Sequence, residues 1–334
     1  MKSTPLSSRL SVVHGRALVW RQWLRWEVLL GLVVVGVFIS NIFLSPYFLT
    51  IWTLSDATYN FTESGIVALP MALLIISGEI DISVASTMAI ASVGMGFVAQ
   101  AGGDVFLICI CGIVIGAVAG ALNGLLVTVF RVPSIVATIG TLSLYRGIAY
   151  AIMGNRVLKA YPPAFGFFGQ GYVWGPLSFE FFLFILLSIA FGVVLHKTII
   201  GRRIFAVGAN PIAARFAGIQ VNTYKFWIFV LLGACAGLAS ILLTSRLGST
   251  RPSIAEGWEL GIITMVILGG VAIEGGQGSI LGVFLAALLI GLITFGLSLL
   301  NVPGIVLGIV TGAMLVTVMA LSALLSRSGH RRRA

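Results

Sequence analysis

Two glycine-rich turns hold most of the residues that could do chemistry. Ser77-Gly78-Glu79-Ile80-Asp81-Ile82-Ser83 sets two carboxylates and two hydroxyls between apolar runs. Gly269-Gly270-Val271-Ala272-Ile273-Glu274-Gly275-Gly276 sets a third carboxylate in a similar frame. Acids beside glycine, where backbones can approach closely, can line a polar pathway or grip a partner. The same residues also make ordinary solvated turns between helices, and their spacing leaves both readings open. Glu63 lies within an apolar run, so it is the better candidate for a pore-facing or packed acid. Asn123 follows a run of small residues, and Thr138 and Thr141 share one helical face. These three can hydrogen-bond a passing polyol or bond neighbouring helices.

Motifs for bond-making chemistry are missing. The chain has no phosphate loop, no H-E-x-x-H and no G-x-S-x-G elbow. Cys109, Cys111 and Cys235 sit in apolar runs at spacings that fit neither a metal site nor a disulfide framework. His14, His196 and His330 lie in a tail, at a run's end and in a basic terminus. The sequence therefore predicts no catalytic residue, no metal and no cofactor held by this chain. Nor do its acids form a continuous proton relay, which counts against an ion-coupled secondary transporter.

The elements that carry these residues follow from composition. Of 334 residues, 59% are hydrophobic and 9% charged, with a mean hydropathy of +1.10. Too few polar residues are present to coat a water-soluble surface, so lipid is the remaining solvent. In lipid, only helices or closed barrels satisfy the backbone. The apolar runs are long and unbroken, as in Phe179–Leu195 and Ile280–Leu300, which selects helices. The expectation is an all-α, polytopic transmembrane bundle of ten spans. They fall near 27–45, 55–77, 82–100, 105–129, 134–153, 178–196, 226–246, 258–272, 280–299 and 303–325. Residues 27–325 form one transmembrane domain between a tail at 1–26 and a basic tail at 326–334. The first run is read as an uncleaved span, since no small-residue cleavage site follows it.

The net charge of +10 does not indicate a nucleic-acid partner. Its cations cluster before the first span, in the 197–225 loop and at the carboxyl end. Cytoplasmic basic residues collect in such places, and an even span count puts all three clusters inside, so both termini are expected in the cytoplasm. Within the inner loop, Asn210-Pro211 opens a short helix and Gly218 can cap it, a feature that a soluble partner or the lipid surface could engage. The outer loop, 154–177, is rich in Gly, Pro and aromatics. Gly112, Gly116, Gly120 and Gly124 form a ladder on one helix face, read as close helix packing. Phe130-Arg131-Val132-Pro133 resembles Leu300-Asn301-Val302-Pro303 five spans later, a hint of an inverted repeat.

Several of these segments together resemble ribose-type permeases of bacterial ABC sugar importers. Gly78-Glu79-Ile80-Asp81-Ile82-Ser83-Val84-Ala85-Ser86 is similar to that family's G-G-I-D-L-S-V-G-S, and Leu122-Asn123-Gly124-Leu125-Leu126-Val127 to its L-N-G-L-L-V. Pro133 to Thr141 resembles P-x-F-I-x-T-L-G-T, and the 201–219 segment resembles the family's inner-loop motif. Leu268-Gly269-Gly270 with Gly275-Gly276-Gln277-Gly278-Ser279 is similar to its late glycine motif. Glu79, Ala85 and Ile82 depart from the signature and suggest a rhamnose-type subgroup, with autoinducer-2 permeases next. The resemblance implies a multi-pass inner-membrane subunit that moves a monosaccharide by alternating access. It implies a cytoplasmic ATPase that binds the ATP, a periplasmic solute-binding protein and a second, identical or similar, permease chain. It places the ATPase-coupling loop at Gly208, Asn210, Pro211, Ala214, Arg215 and Gly218.

Overall fold

The computed structural model describes residues 11–317 apart from 305, 307, 311 and 315, with side chains from Trp26 onward. The basic tail at 326–334 lies outside the described residues. In chain order the helices are α1 (Ser11–Leu44), α2 (Ile51–Thr58), α3 (Thr62–Ile76), α4 (Val84–Gln100), α5 (Val105–Thr128) and α6 (Ser134–Met153). Then come α7 (Phe167–Gln170), β1 (Tyr172–Trp174), β2 (Leu177–Ser178), α8 (Phe179–Lys197), α9 (Ile199–Ala209) and α10 (Pro211–Phe216). The described elements end with α11 (Val221–Leu247), α12 (Trp258–Leu268) and α13 (Ile280–Leu299), and helical backbone resumes at Gly304.

Six helical stretches are long and apolar enough to cross a bilayer: Trp26–Leu44, α5, α6, α8, α11 and α13. The span expected at 82–100 is the 17-residue α4, just under that length, and the two expected at 55–77 and 258–272 are more broken or shorter than their hydropathy implies. The first is α2 and α3, bent by 44° at a short break, and the pair together passes as a seventh span. The second is α12, only 11 residues. At ~1.5 Å per residue it is about 16 Å long, half of the ~30 Å hydrocarbon core. The tenth expected segment, 303–325, is helical from Gly304 where it is described, and its end lies outside the described residues.

Glycine ends both short helices in the same way. Gly78 and Gly270 each adopt φ +85, where a side chain would strain the backbone. The next residue then reaches back: Glu79 N–H donates to Leu74 O at 3.1 Å, and Val271 N–H to Val266 O at 3.3 Å. That is the Schellman pattern, and it stops α3 and α12 before they can extend.

The chain centres on α3. All 15 of its residues are buried, against α8, α11, α12 and α13. The glycine ladder of α5 meets glycines of α11. A Cβ at Gly116 would stand 2.3 Å from Gly233 O, and one at Gly120 2.2 Å from Phe229 O. The backbones touch there, which is the use the sequence suggested for small residues at this spacing. Among the described residues, a departure from an all-α fold lies in the 154–177 loop, where β1 and β2 pair as a two-stranded antiparallel hairpin.

The sequence repeat extends to conformation. Arg131 and Asn301 both take φ 57, and Val132 and Val302 donate back to Leu126 O and Leu297 O at 3.0 and 3.1 Å. A proline and a new helix follow each. Helix α5 ends at the same end of the bundle as the 77–83 and 269–279 turns, whereas α13 starts there and ends opposite. The matched segments thus sit at opposite ends, as an inverted repeat requires.

Candidate functional site

Three chain segments far apart in sequence meet backbone to backbone at one end of the bundle. They are the end of α3, the end of α9 and the 269–279 turn. Gly276 N–H donates to Ile76 O at 2.8 Å. A Cβ on Gly208 would lie 1.7 Å from that same oxygen and 2.5 Å from Gly276 N. A Cβ on Gly275 would come within 3.2 Å of both Gly208 O and Gly78 Cα. Only glycine permits three main chains this close. The 197–225 loop is therefore seated on both acid-bearing turns at once, a junction that no local spacing announces.

The loop itself folds as two helices. Asn210 caps α10, its Oδ1 accepting from Ile212 N–H and Ala213 N–H, each at 3.0 Å. Pro211 occupies the first turn, where its missing N–H costs nothing. Ala214 is buried, and Gly218 follows at φ +80. The sequence anticipated α10 but not the 11-residue α9 before it. Arg215 is exposed and donates to Asn222 Oδ1 at 3.1 Å, and Asn222 donates to Thr128 O at 3.0 Å. This links α10 through α11 to the end of α5.

Glu79 and Asp81 part company two residues apart. Glu79 pairs with Lys225 of α11 at 2.5 Å, each side chain only 15% exposed. Asp81 turns inward and is buried. Its Oδ1 accepts from Ser83 N–H and Ser83 Oγ–H, both at 2.7 Å, and its Oδ2 accepts from Asn123 Nδ2 at 3.0 Å. Asn123 also donates to Ser83 Oγ at 2.8 Å, and Asn123 Oδ1 accepts from Tyr145 at 3.3 Å. The structure thus joins two sequence candidates, Asn123 and the 77–83 turn, in one buried network spanning α5, α6 and that turn. Ile80 N–H adds a bond to Ser134 Oγ at the start of α6. Glu274 stays exposed on the second turn.

The remaining candidates lie elsewhere. Thr138 and Thr141 are buried and bond carbonyls of their own helix, Ser134 O at 2.8 Å and Thr138 O at 3.3 Å. Such back-bonding is how a threonine hides its hydroxyl in apolar surroundings. Glu63 sits at the opposite end, in the first turn of α3, fully buried and paired with Arg246 at 2.7 Å. A hydroxyl chain near it escaped the sequence reading: Tyr161 to Thr250 at 2.6 Å, Thr250 to Ser92 at 2.7 Å, Ser92 to Thr244 at 2.8 Å. Burial pushes the Tyr161 hydroxyl up to about 12, so it stays neutral, and its bond to Thr250 fastens the 154–177 loop to α4 and α11.

Residues 53–319 match the family of branched-chain amino acid transport system permease components. The chain belongs to that family. Among relatives of this permease are proteins called autoinducer 2 import system permease protein LsrD. The one from Enterobacter sp. strain 638 is 33% identical over 302 residues, covering 89% of this chain and 92% of its own. That of Klebsiella pneumoniae is 35% identical over 302 residues, 89% of this chain and 91% of its own. That of Escherichia coli O9:H4 strain HS is 33% identical over 300 residues. The permease is a multi-pass inner-membrane protein of the ABC-importer kind, as the resemblance led one to expect.

Proposed function

We propose that this chain is the membrane-spanning subunit of an importer for a small carbohydrate-like solute, either autoinducer 2 or a monosaccharide. The relatives' names favour autoinducer 2 over the rhamnose-type solute that the signature turn suggested. In this reading α9 and α10 face the cytoplasm and dock a separate ATPase. The 154–177 loop faces a periplasmic binding protein, and a second permease chain completes the pathway. This chain breaks no bond; it alternates access while the ATPase consumes ATP. The observation that carries the reading is the glycine junction. A loop seated on two glycine turns can pass a push from a soluble partner straight to the helices those turns terminate.

The test is solute uptake by cells expressing this chain with its cognate ATPase and binding protein. Autoinducer 2, L-rhamnose and ribose are offered, with and without Arg215→Glu. The expected result is ATP-dependent uptake of one solute, lost in the variant. Uptake that persists without the ATPase would overturn the reading in favour of an ion-coupled carrier.

A further inference from the structure

At the end of the bundle opposite the glycine junction, two glutamates are fully buried where α3 packs on α8, and a partly exposed arginine reaches one of them. Glu63 lies in the first turn of α3 and Glu180 in the first turn of α8, and both are 0% exposed. Arg246, in the last turn of α11, donates from Nε to Glu63 Oε1 at 2.7 Å. Among the described residues, Glu63 Oε2 and both oxygens of Glu180 have no hydrogen-bond partner. Aromatic rings close the site. Phe61 lies 6.1 Å from both Phe181 and Phe184, and the Tyr59 ring is 6.0 Å from the Arg246 guanidinium. Helices α3 and α8 are pressed together one turn on, where a Cβ at Gly65 would be 2.9 Å from the Phe184 ring.

Charge decides what such a site can hold. Two carboxylates against one guanidinium leave an uncompensated negative charge in a dry place. A buried, unpaired carboxylate costs several kcal/mol, and two carboxyls sharing a site do not both ionise readily. Beside it, Tyr59 faces Glu180 and has Tyr172 and Asp56 as its own neighbours, and none of these brings a positive charge.

We propose that Glu63 and Glu180 together bind one proton at neutral pH, forming a proton-binding site that fastens α8 to α3. Glu63 stays the partner of Arg246, and Glu180 carries the proton. Stripping that proton at alkaline pH leaves the unpaired charge and drives α8 away from α3, so the clamp weakens as pH rises. The site does not depend on which solute the chain carries.

Infrared spectroscopy of the chain in lipid nanodiscs tests this directly. Wild type minus Glu180→Gln at neutral pH should show one protonated-carboxyl stretch per chain, lost in the variant. Glu63→Gln should lose the same stretch, because the single remaining carboxylate then ionises against Arg246. A stretch that survives in either variant overturns the shared proton. Should a variant fail to fold, wild type labelled with carbon-13 at glutamate carboxyls answers alone. Glu63 and Glu180 are the glutamates fully enclosed among the described residues, so a protonated stretch must shift with the label. No glutamate stretch at neutral pH, with stability that depends on sodium or potassium instead, overturns the proposal in favour of a bound cation.

Discussion

Replacing Gly208 with alanine is the sharpest perturbation of the junction. The new Cβ would stand 1.7 Å from Ile76 O, whereas ordinary contact begins at 3.4 Å. Helix α9 would have to retreat by the difference, 3.4 − 1.7, or about 1.7 Å. The methyl would also wedge into the 2.8 Å bond from Gly276 N–H to Ile76 O. Overpacking of this kind costs ~1–3 kcal/mol, and a buried hydrogen bond left unmade costs ~1–3 kcal/mol more. Each 1.4 kcal/mol is about tenfold in an equilibrium, so the seated state of α9 should fall by tenfold or more. The assay is ATP-driven uptake in proteoliposomes holding the full complex, alongside the ATPase rate. Gly208→Ala should lose at least about tenfold in uptake while ATP hydrolysis continues, uncoupled from transport. Gly36→Ala is the control, since a Cβ there meets nothing within 4 Å. Uptake by Gly208→Ala within about twofold of wild type would show that the three backbones do not stay in contact during transport, and the reasoning would fail.

Other perturbations bear on separate parts of the site. Asn123→Leu strips Asp81 Oδ2 and the Tyr145 hydroxyl of a partner, so thermal stability in detergent should drop by about 2–4 kcal/mol; no drop would mean the network is not buried in the working protein. Gly116→Val drives a side chain into Gly233 O, 2.3 Å from the position of the Cβ, and should lower the yield of folded protein in the membrane, whereas Gly36→Ala should not. A double-mutant cycle of Glu79→Gln and Lys225→Met should give a coupling of about 0.5–3 kcal/mol in unfolding, and a value of zero would remove the ion pair from the account.

The sequence reading succeeded where information is local. Apolar runs reported the long helices, because the bilayer requires about 20 apolar residues wherever a helix crosses it. Asn210-Pro211 and Gly218 reported α10, because caps are read from adjacent residues. The break between α2 and α3 was hidden, since Tyr59-Asn60-Phe61 contains neither glycine nor proline. Helix α9 was hidden by its own glycines, Gly201 and Gly208, which lower helix propensity yet are needed for close contacts with Leu195 O and Ile76 O. The junction was illegible for a different reason. It is made of main-chain atoms from residues 76, 208 and 276, and main-chain atoms leave no side-chain signature beyond glycine. Glu180 gave no signal of its own, because its burial comes from the packing of α8 on α3, a contact between segments more than 100 residues apart.

Two routes lead from α10 toward the membrane helices, and they can be told apart. One is the backbone junction at Gly208. The other is made of side chains: Arg215 to Asn222, then Asn222 to Thr128 O on α5. The first is buried main chain, stiff and without rotamers to absorb a displacement. The second includes an exposed 3.1 Å hydrogen bond, of a kind that contributes about 0.5–1.5 kcal/mol net. A push of 1–2 Å at α10 would be taken up by rotation of the Arg215 side chain before it moved α5, whereas the same push at Gly208 has nowhere to go except into the 77–83 and 269–279 turns. Asn222→Ala should therefore reduce uptake by less than about tenfold and leave ATP hydrolysis coupled. If Asn222→Ala abolishes uptake while Gly208→Ala leaves it intact, the side-chain route carries the stroke and α5, not the pair of short helices α3 and α12, is what the loop moves.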